Sequence, residues 1–271
     1  MQSCVQLLPG HPSPRQMSAE EFSRVCEKLR PFGKDLFFHV MGEPLLHPEL
    51  DDILRIAGEL GFSASITTNG TLIKESIDTL LRHASVLRRV SFSLHAPEGN
   101  GKNATSGEYL DGIIGAAKRL SPLGVYSIFR LWNLDSPERK GENTENKNIL
   151  AKLLREYPDP WQKRYSGYRL CSRTFLEYDG IFTWPSESNA EPCEAGTCRA
   201  LTQQIAILAD GTVVPCCLDS DGNIPLGNIF SDTMGNIIAS RLFTEMKKGF
   251  AQGRMVHPMC KKCVYARRFK R

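Results

Sequence analysis

Short apolar runs alternate with longer amphipathic segments through the first half of this chain. The runs are too apolar for strands that have one solvent-exposed face. We therefore expect a parallel sheet whose strands are buried on both faces and flanked by helices. Right-handed crossovers would wind such a sheet into an open or closed barrel. The sequence therefore predicts an α/β fold. Strand-like runs lie at residues 36–41, 64–68, 90–94 and 125–132, and helical patterns lie at residues 18–29, 50–60, 72–81 and 109–120.

The first helical pattern begins at a capping box, Ser18-Ala19-Glu20-Glu21. Cys26 falls on its apolar face and is predicted to be a small core residue. No apolar run precedes this helix, so the first βα unit is expected to lack its strand.

Composition excludes several classes of protein. The formal net charge is +4 over 271 residues, and part of this surplus lies in the terminal ARRFKR, which is typical of a solvated tail. A nucleic-acid partner is therefore not expected. No apolar run approaches the roughly 18 residues of a membrane span, and the N-terminus does not resemble a signal peptide. We expect a cytoplasmic protein with no membrane partner.

Polar or glycine-bearing segments follow four of the predicted strands. They are Gly42-Glu43-Pro44, Thr67-Thr68-Asn69-Gly70, Ser93-Leu94-His95 and Arg130-Leu131-Trp132-Asn133. Any one of them is explained by turn chemistry. Because function collects at the carboxyl ends of parallel strands, four in succession predict a ligand-binding rim.

Six of the nine cysteines lie in the last eighty or so residues. Cys198 is followed after twelve residues by Gly211, then by Cys216 and Cys217, and a Cys260-x2-Cys263 pair comes later. Gly211 is predicted to form the turn of a β-hairpin over residues 204–215. Two pairs of thiolates suit one four-coordinate centre, which this spacing allows to be zinc or iron–sulfur. Two buried cysteine pairs without metal remain the alternative.

These segments together resemble the radical S-adenosylmethionine (SAM) enzymes that carry a C-terminal SPASM domain. The matching stretches are HVMGEPLLHPEL, ITTNGTLI, VSFSLHAPEGN, FRLWNL and the run from CRALTQQ to CKKC. The resemblance implies a partial (β/α)6 barrel lacking its first strand over residues 1–190, and a SPASM-like iron–sulfur domain over residues 191–271.

The same resemblance implies two sets of cofactor-binding residues. Met41-Gly42-Glu43-Pro44 matches a GGEP motif that holds the SAM amino group, although Met41 replaces its first glycine. The C-terminal domain is expected to hold a [4Fe–4S] cluster. The implied SAM-binding residues are Gly42, Glu43, Pro44, Thr68, Asn69, Ser93 and Arg130. The implied cluster ligands are Cys198, Cys216, Cys260 and Cys263, with Cys217 and Cys193 as alternates.

The family's catalytic cluster is bound by CxxxCxxC, and this motif is incomplete here. Aligned on the first helix, Cys4 falls on the second ligand, Leu7 on the third, and the first would lie before Met1. No catalytic residue is therefore secure, and Cys4 is interpreted as a remnant.

The family reaction is reductive cleavage of SAM to start radical modification of a peptide, protein or small molecule, with an electron from a reductant such as a ferredoxin or flavodoxin. We expect this reaction to be disabled in the chain as written. The alternative is a non-catalytic iron–sulfur or zinc-binding scaffold that binds a peptide.

Overall fold

The computed structural model describes residues 15–40, 42–94, 107–132, 144–180, 184–185 and 190–269. These residues form two compact units. The sheet unit contains residues 34–39 and 43–180, and the cysteine unit contains residues 15–33, 40 and 42 and the described residues from 184 onward. The predicted boundary between residues 190 and 191 stays a prediction, and the first helix is grouped with the cysteine-bearing region.

The sheet unit is a seven-stranded mixed sheet with helices. Its strand order is β1-β2-β3-β4-β7-β6-β5; the first five in this order are parallel, while β6 and β5 are antiparallel. The predicted α/β class with a parallel sheet is confirmed, and the antiparallel β5–β6 hairpin is an addition that the sequence did not predict. The strands are Asp35–Phe38 (β1), Ser63–Thr68 (β2), Leu87–Ser93 (β3), Tyr126–Leu131 (β4), Gln162–Arg164 (β5), Gly167–Cys171 (β6) and Thr174–Tyr178 (β7).

The two faces of this sheet differ in composition, although side chains such as Ser65, Ser91 and Ile128 are buried on the second face too. One face carries fully buried side chains such as Phe38, Ile66 and Phe92. Because side chains alternate along a strand, the residues between them share the other face. There the parallel register aligns Thr67 of β2 with Ser91 of β3. We call this second side the polar face.

Three of the four helices described in this unit lie close to the helical patterns predicted at residues 50–60, 72–81 and 109–120. The second helix, for example, buries Leu50, Ile53, Leu54 and Ala57 and leaves its acidic residues in water. Gly61, with φ +76°, follows its end in the left-handed conformation that glycine adopts without strain. These helices are Leu50–Glu59 (α2), Ile73–Arg82 (α3), Gly107–Leu120 (α4) and Thr144–Glu156 (α5).

The described part of the cysteine unit contains short strands and four helices. The Ser18 capping box is confirmed: its hydroxyl accepts from the Glu21 N–H, and the Glu21 carboxylate accepts from the Ser18 N–H at 3.0 Å. Cys26 is fully buried, as predicted, and burial raises its thiol pKa to about 12. The elements are Ala19–Leu29 (α1), Ala206–Ile207 (β8), Thr212–Val214 (β9), Gly227–Asn228 (β10), Met234–Ala239 (α6), Arg241–Ala251 (α7) and Pro258–Lys262 (α8).

The predicted hairpin is confirmed as the antiparallel pair β8–β9, which leads directly to Cys216. Gly211 forms its turn with φ +85°, and a Cβ at this position would lie 2.4 Å from the Phe230 ring and 2.7 Å from Asn228 Oδ1. Glycine is therefore required here for two reasons, backbone conformation and space.

Gly211→Ala is expected to lower the free energy of unfolding of the protein by more than the roughly 1 kcal/mol that the left-handed backbone conformation costs an alanine. The reason is that the added methyl group also clashes with Phe230 and Asn228. Gly253→Ala is the matched control, since Gly253 has φ +73° but a methyl group added there would meet no atom within 4 Å. Chemical denaturation of both variants measures the difference. Equal losses would show that Phe230 and Asn228 move aside without cost.

Candidate functional site

The carboxylate of Glu43 is held at the carboxyl ends of β1 and β2. Its side chain is only 6% exposed. Oε1 accepts from the Leu45 N–H at 3.0 Å, and Oε2 accepts from the Asn69 N–H at 2.7 Å. The Thr68 hydroxyl also bonds to this carboxylate, while its oxygen accepts from the Gly70 N–H. Pro44 starts a 3-10 turn over Pro44–Leu46, which directs the Leu45 N–H back to the glutamate.

Tyr109 of α4 contacts the backbone at the ends of both β2 and β3. Its hydroxyl donates to the Asn69 carbonyl at 2.6 Å and lies 3.5 Å from the Ser93 carbonyl. Burial, and then the charge of Glu43, raise the pKa of Tyr109, so the phenol remains a donor. Four predicted residues, Glu43, Thr68, Asn69 and Ser93, are thus brought together. Tyr109 itself was not predicted as a site residue.

The chemistry of this carboxylate fits a bound ammonium group. Burial raises the pKa of Glu43, and the bonds from Thr68, Asn69 and Leu45 counteract that rise. A carboxylate accepts about four hydrogen bonds, so one position remains for a further donor. A cationic donor would favour the ionised form that burial disfavours. Gly42, just before Glu43, has φ +84°.

Arg130 lies at the end of β4, beside Ser93 in the register of the sheet. Its Nη1 is 3.4 Å from Thr67 Oγ1, its Nε is 3.9 Å from Glu177 Oε2, and its guanidinium lies 4.3 Å from the centroid of the Trp132 ring. The predicted rim is therefore continuous from β1 to β4. Glu177 and Trp132 complete the surroundings of Arg130 and were not assigned to the site from sequence.

Five thiols of the cysteine unit lie close enough to influence each other's ionisation. Cys198 interacts with all four others, and Cys260 also interacts with Cys216 and Cys263. The thiol pKa is raised for Cys216, Cys217, Cys260 and Cys263, and it is about 12 for Cys260. Burial is the largest cause, and repulsion between thiolates adds to it.

Backbone N–H groups point at four of these sulfurs, and that of Cys217 receives its own N–H. The Ala200 N–H donates to Cys198 Sγ at 3.5 Å, Cys216 receives the Leu218 N–H, and Cys263 receives those of Tyr265 and Ala266. Such bonds stabilise thiolates and tune iron–sulfur clusters.

Burial and mutual repulsion disfavour the thiolate form of these cysteines, and a bound metal centre would supply the positive charge that stabilises it. In the described residues, no three His, Cys, Asp or Glu side chains are arranged to hold a single metal ion. A [4Fe–4S] cluster would bond each of four thiolates to a different iron.

The alternates differ in their surroundings. Cys217 packs against the apolar cluster of Val40, Ala206, Leu208 and Val214, and it also interacts with Cys198 and Cys263. Cys193 points elsewhere, with its thiol 3.2 Å from the Ala195 carbonyl. Cys4, Leu7, Met41 and His95 lie outside the described residues.

Two family models match this chain. The radical SAM superfamily model matches residues 4–137, and the SPASM model, described as an iron–sulfur cluster-binding domain, matches residues 198–264. The second match contains Cys198, Cys216, Cys260 and Cys263.

A curated protein, the AdoMet-dependent heme synthase of Methanosarcina barkeri, is 30% identical over 104 residues, which are 38% of this chain and 28% of that protein. The alignment therefore spans little more than a quarter of that relative.

Two solved structures have the same fold. BtrN in complex with AdoMet and 2-DOIA gives a TM-score of 0.57 at 18% identity, covering 97% of this chain and 89% of that one. Streptococcus suis SuiB bound to the precursor peptide SuiA gives 0.55 at 14% identity, covering 97% and 69%. At these identities the likeness concerns fold alone.

None of the helices in the described part of the chain is both long and apolar enough to cross a membrane.

Proposed function

Because this chain belongs to the radical SAM superfamily and carries a SPASM iron–sulfur domain, we propose that it binds SAM through the rim of the sheet unit. The observation that carries this proposal is the buried Glu43 carboxylate, which Thr68, Asn69 and Leu45 hold in place with one acceptor position left. Glu43 would accept from the SAM ammonium. Gly42, Pro44, Thr68, Asn69 and Ser93 shape this pocket, and Arg130 supplies positive charge for the SAM carboxylate.

The second part of the proposal is a [4Fe–4S] cluster held by Cys198, Cys216, Cys260 and Cys263. Cys216 rather than Cys217 is proposed as the ligand because it completes the spacing Cys198-x12-Gly211-x4-Cys216 of the resemblance, whereas Cys217 packs among apolar side chains. The cluster that would supply the electron for cleavage of SAM to methionine and a 5′-deoxyadenosyl radical in this family is a different one, held by the CxxxCxxC motif.

We propose that the 271-residue polypeptide binds SAM without cleaving it. The open-iron cluster of the family needs three thiolates, and Leu7, at the position of one of them, has no lone pair for iron. Proteins of this fold include one in complex with 2-DOIA and one bound to a precursor peptide, so a peptide, a protein or a small molecule remains the substrate class.

Anaerobic equilibrium dialysis with SAM, followed by incubation with dithionite and quantification of 5′-deoxyadenosine, tests the proposal. Saturable SAM binding with 5′-deoxyadenosine at the level of a protein-free control is the expected result. Leu7→Cys alone is not expected to restore cleavage, since it provides at most two of the three thiolates with Cys4. Cleavage by the unmodified chain would contradict the alignment of Leu7 with a ligand position, and absence of SAM binding would contradict the assigned pocket.

A further inference from the structure

Arg89 is an unpaired cation on the polar face of the sheet. It lies in β3, between Ser65 and Tyr126 in the parallel register, and its guanidinium stands 5.9 Å from the centroid of the Phe37 ring. Among the described residues, this guanidinium makes neither a hydrogen bond nor an ion pair of 4 Å or less. Arg88, its neighbour, is by contrast exposed and ion-paired to Asp35 at 3.2 Å. A half-buried guanidinium with five free donors is a recognition group for an anion.

Ser91 adds a second free donor on the same face. It lies two residues after Arg89 in the same strand, so both side chains project to one side. Ser91 is fully buried, and its hydroxyl has no hydrogen-bond partner within the described part of the chain. Because buried polar groups in proteins are nearly always hydrogen-bonded, this hydroxyl indicates a partner that arrives with a ligand.

The charges around these two residues leave a positive surplus. On the same face of β3, β4 and β7 lie two guanidinium groups, Arg89 and Arg130, and one carboxylate, Glu177, which is 3.9 Å from Arg130 and also interacts electrostatically with Arg89. His39 adds no charge. Burial first, and then the charges of Arg130 and Arg89, lower its pKa to about 3, so its imidazole is neutral near pH 7. A ligand with a negative group would balance this face.

We propose that Arg89 and Ser91 bind a carboxylate of the substrate, so that this protein acts on an acidic substrate. The proposal rests on the proposed function, since it names the substrate class for the sheet unit that holds SAM. Arg89 supplies two parallel N–H donors to the carboxylate oxygens and Ser91 supplies an O–H. The same chemistry occurs in an acidic peptide side chain and in a small dicarboxylic acid.

The test is an NMR titration of the full chain with two matched pairs of probes. The first pair is acetyl-Ala-Glu-Ala-amide and acetyl-Ala-Gln-Ala-amide, and the second is glutarate and glutaramide. The Nε–Hε resonance of Arg89, assigned by its absence in Arg89→Gln, is expected to shift with at least one acid and with neither amide. Binding of that acid is expected to weaken at least tenfold in Arg89→Gln and severalfold in Ser91→Ala, and to be unchanged in Arg88→Gln.

The outcomes separate this inference from the proposed function. A response to the glutamate peptide alone identifies an acidic peptide, and a response to glutarate alone identifies a small acid. If neither acid shifts the resonance, if the amides act equally, or if Arg88→Gln weakens binding as much as Arg89→Gln, the inference is wrong. The titration is carried out on the SAM-free and the SAM-loaded protein, and SAM affinity is measured on each variant. Because Arg89→Gln is expected to retain SAM binding, a loss of acid binding is distinguished from a loss of SAM binding.

Discussion

Cys260→Ser is expected to abolish cluster binding by the cysteine unit. Reconstituted wild-type protein should contain about four irons per chain and a brown chromophore, whereas the variant should contain almost none. The reason is that serine replaces a thiolate that interacts with both Cys198 and Cys263, and three remaining ligands leave a buried site open. Iron and sulfide analysis with absorption spectroscopy after anaerobic reconstitution measures the effect.

The control for this experiment is Cys193→Ser, because the Cys193 thiol donates to the Ala195 carbonyl at 3.2 Å. It should retain the full iron content. Loss of iron in Cys193→Ser would show that Cys193 is a ligand and that the ligand set proposed here is wrong. Stoichiometric zinc without a chromophore in the wild-type protein would contradict the iron–sulfur assignment itself.

The parts of this fold that the sequence predicted are those with strong periodic patterns. Capping at Ser18, the burial of Cys26 and the hairpin turn at Gly211 all follow from local chemistry that no distant contact overrides. The β5–β6 hairpin was missed because its first strand, Gln162–Arg164, is exposed and polar. An edge strand needs a neighbour to pair with, and that neighbour is a property of the tertiary structure rather than of the segment.

The polar face was missed for a different reason. Leu36-Phe37-Phe38 reads as a uniformly apolar run, although Phe38 is buried in the core and Phe37 lies on the opposite face, against Arg89. Aromatic residues serve both environments, so composition alone does not distinguish them. Tyr109 likewise begins the helical pattern predicted at residues 109–120, and its ring is buried. The bond from its hydroxyl to the Asn69 carbonyl depends on how α4 packs on the sheet.

Glu43→Gln is expected to weaken SAM binding by about 1.5–3 kcal/mol, or roughly 10- to 150-fold in Kd, because the ammonium loses a charged acceptor and faces a neutral amide. The amide keeps the shape of the side chain. The matched control is Glu59→Gln, since Glu59 is an exposed carboxylate ion-paired to Arg55 on α2, and this variant should bind SAM normally. Calorimetric titration of SAM under anaerobic conditions measures both. If the two variants bind SAM equally well, Glu43 does not hold the ammonium.

The pH dependence of SAM binding provides an independent check on Glu43. Burial raises the pKa of Glu43 above its value in the unfolded chain, so the free energy of unfolding falls as the pH rises through the folded-state pKa and Glu43 ionises. A bound ammonium offsets this loss because it stabilises the carboxylate. SAM affinity should therefore fall as the pH is lowered through the pKa of Glu43, since protonation removes the charged acceptor. In Glu43→Gln this dependence should disappear. A wild-type affinity that stays constant from neutral pH down to the onset of acid unfolding would mean that the SAM ammonium is bound by other acceptors.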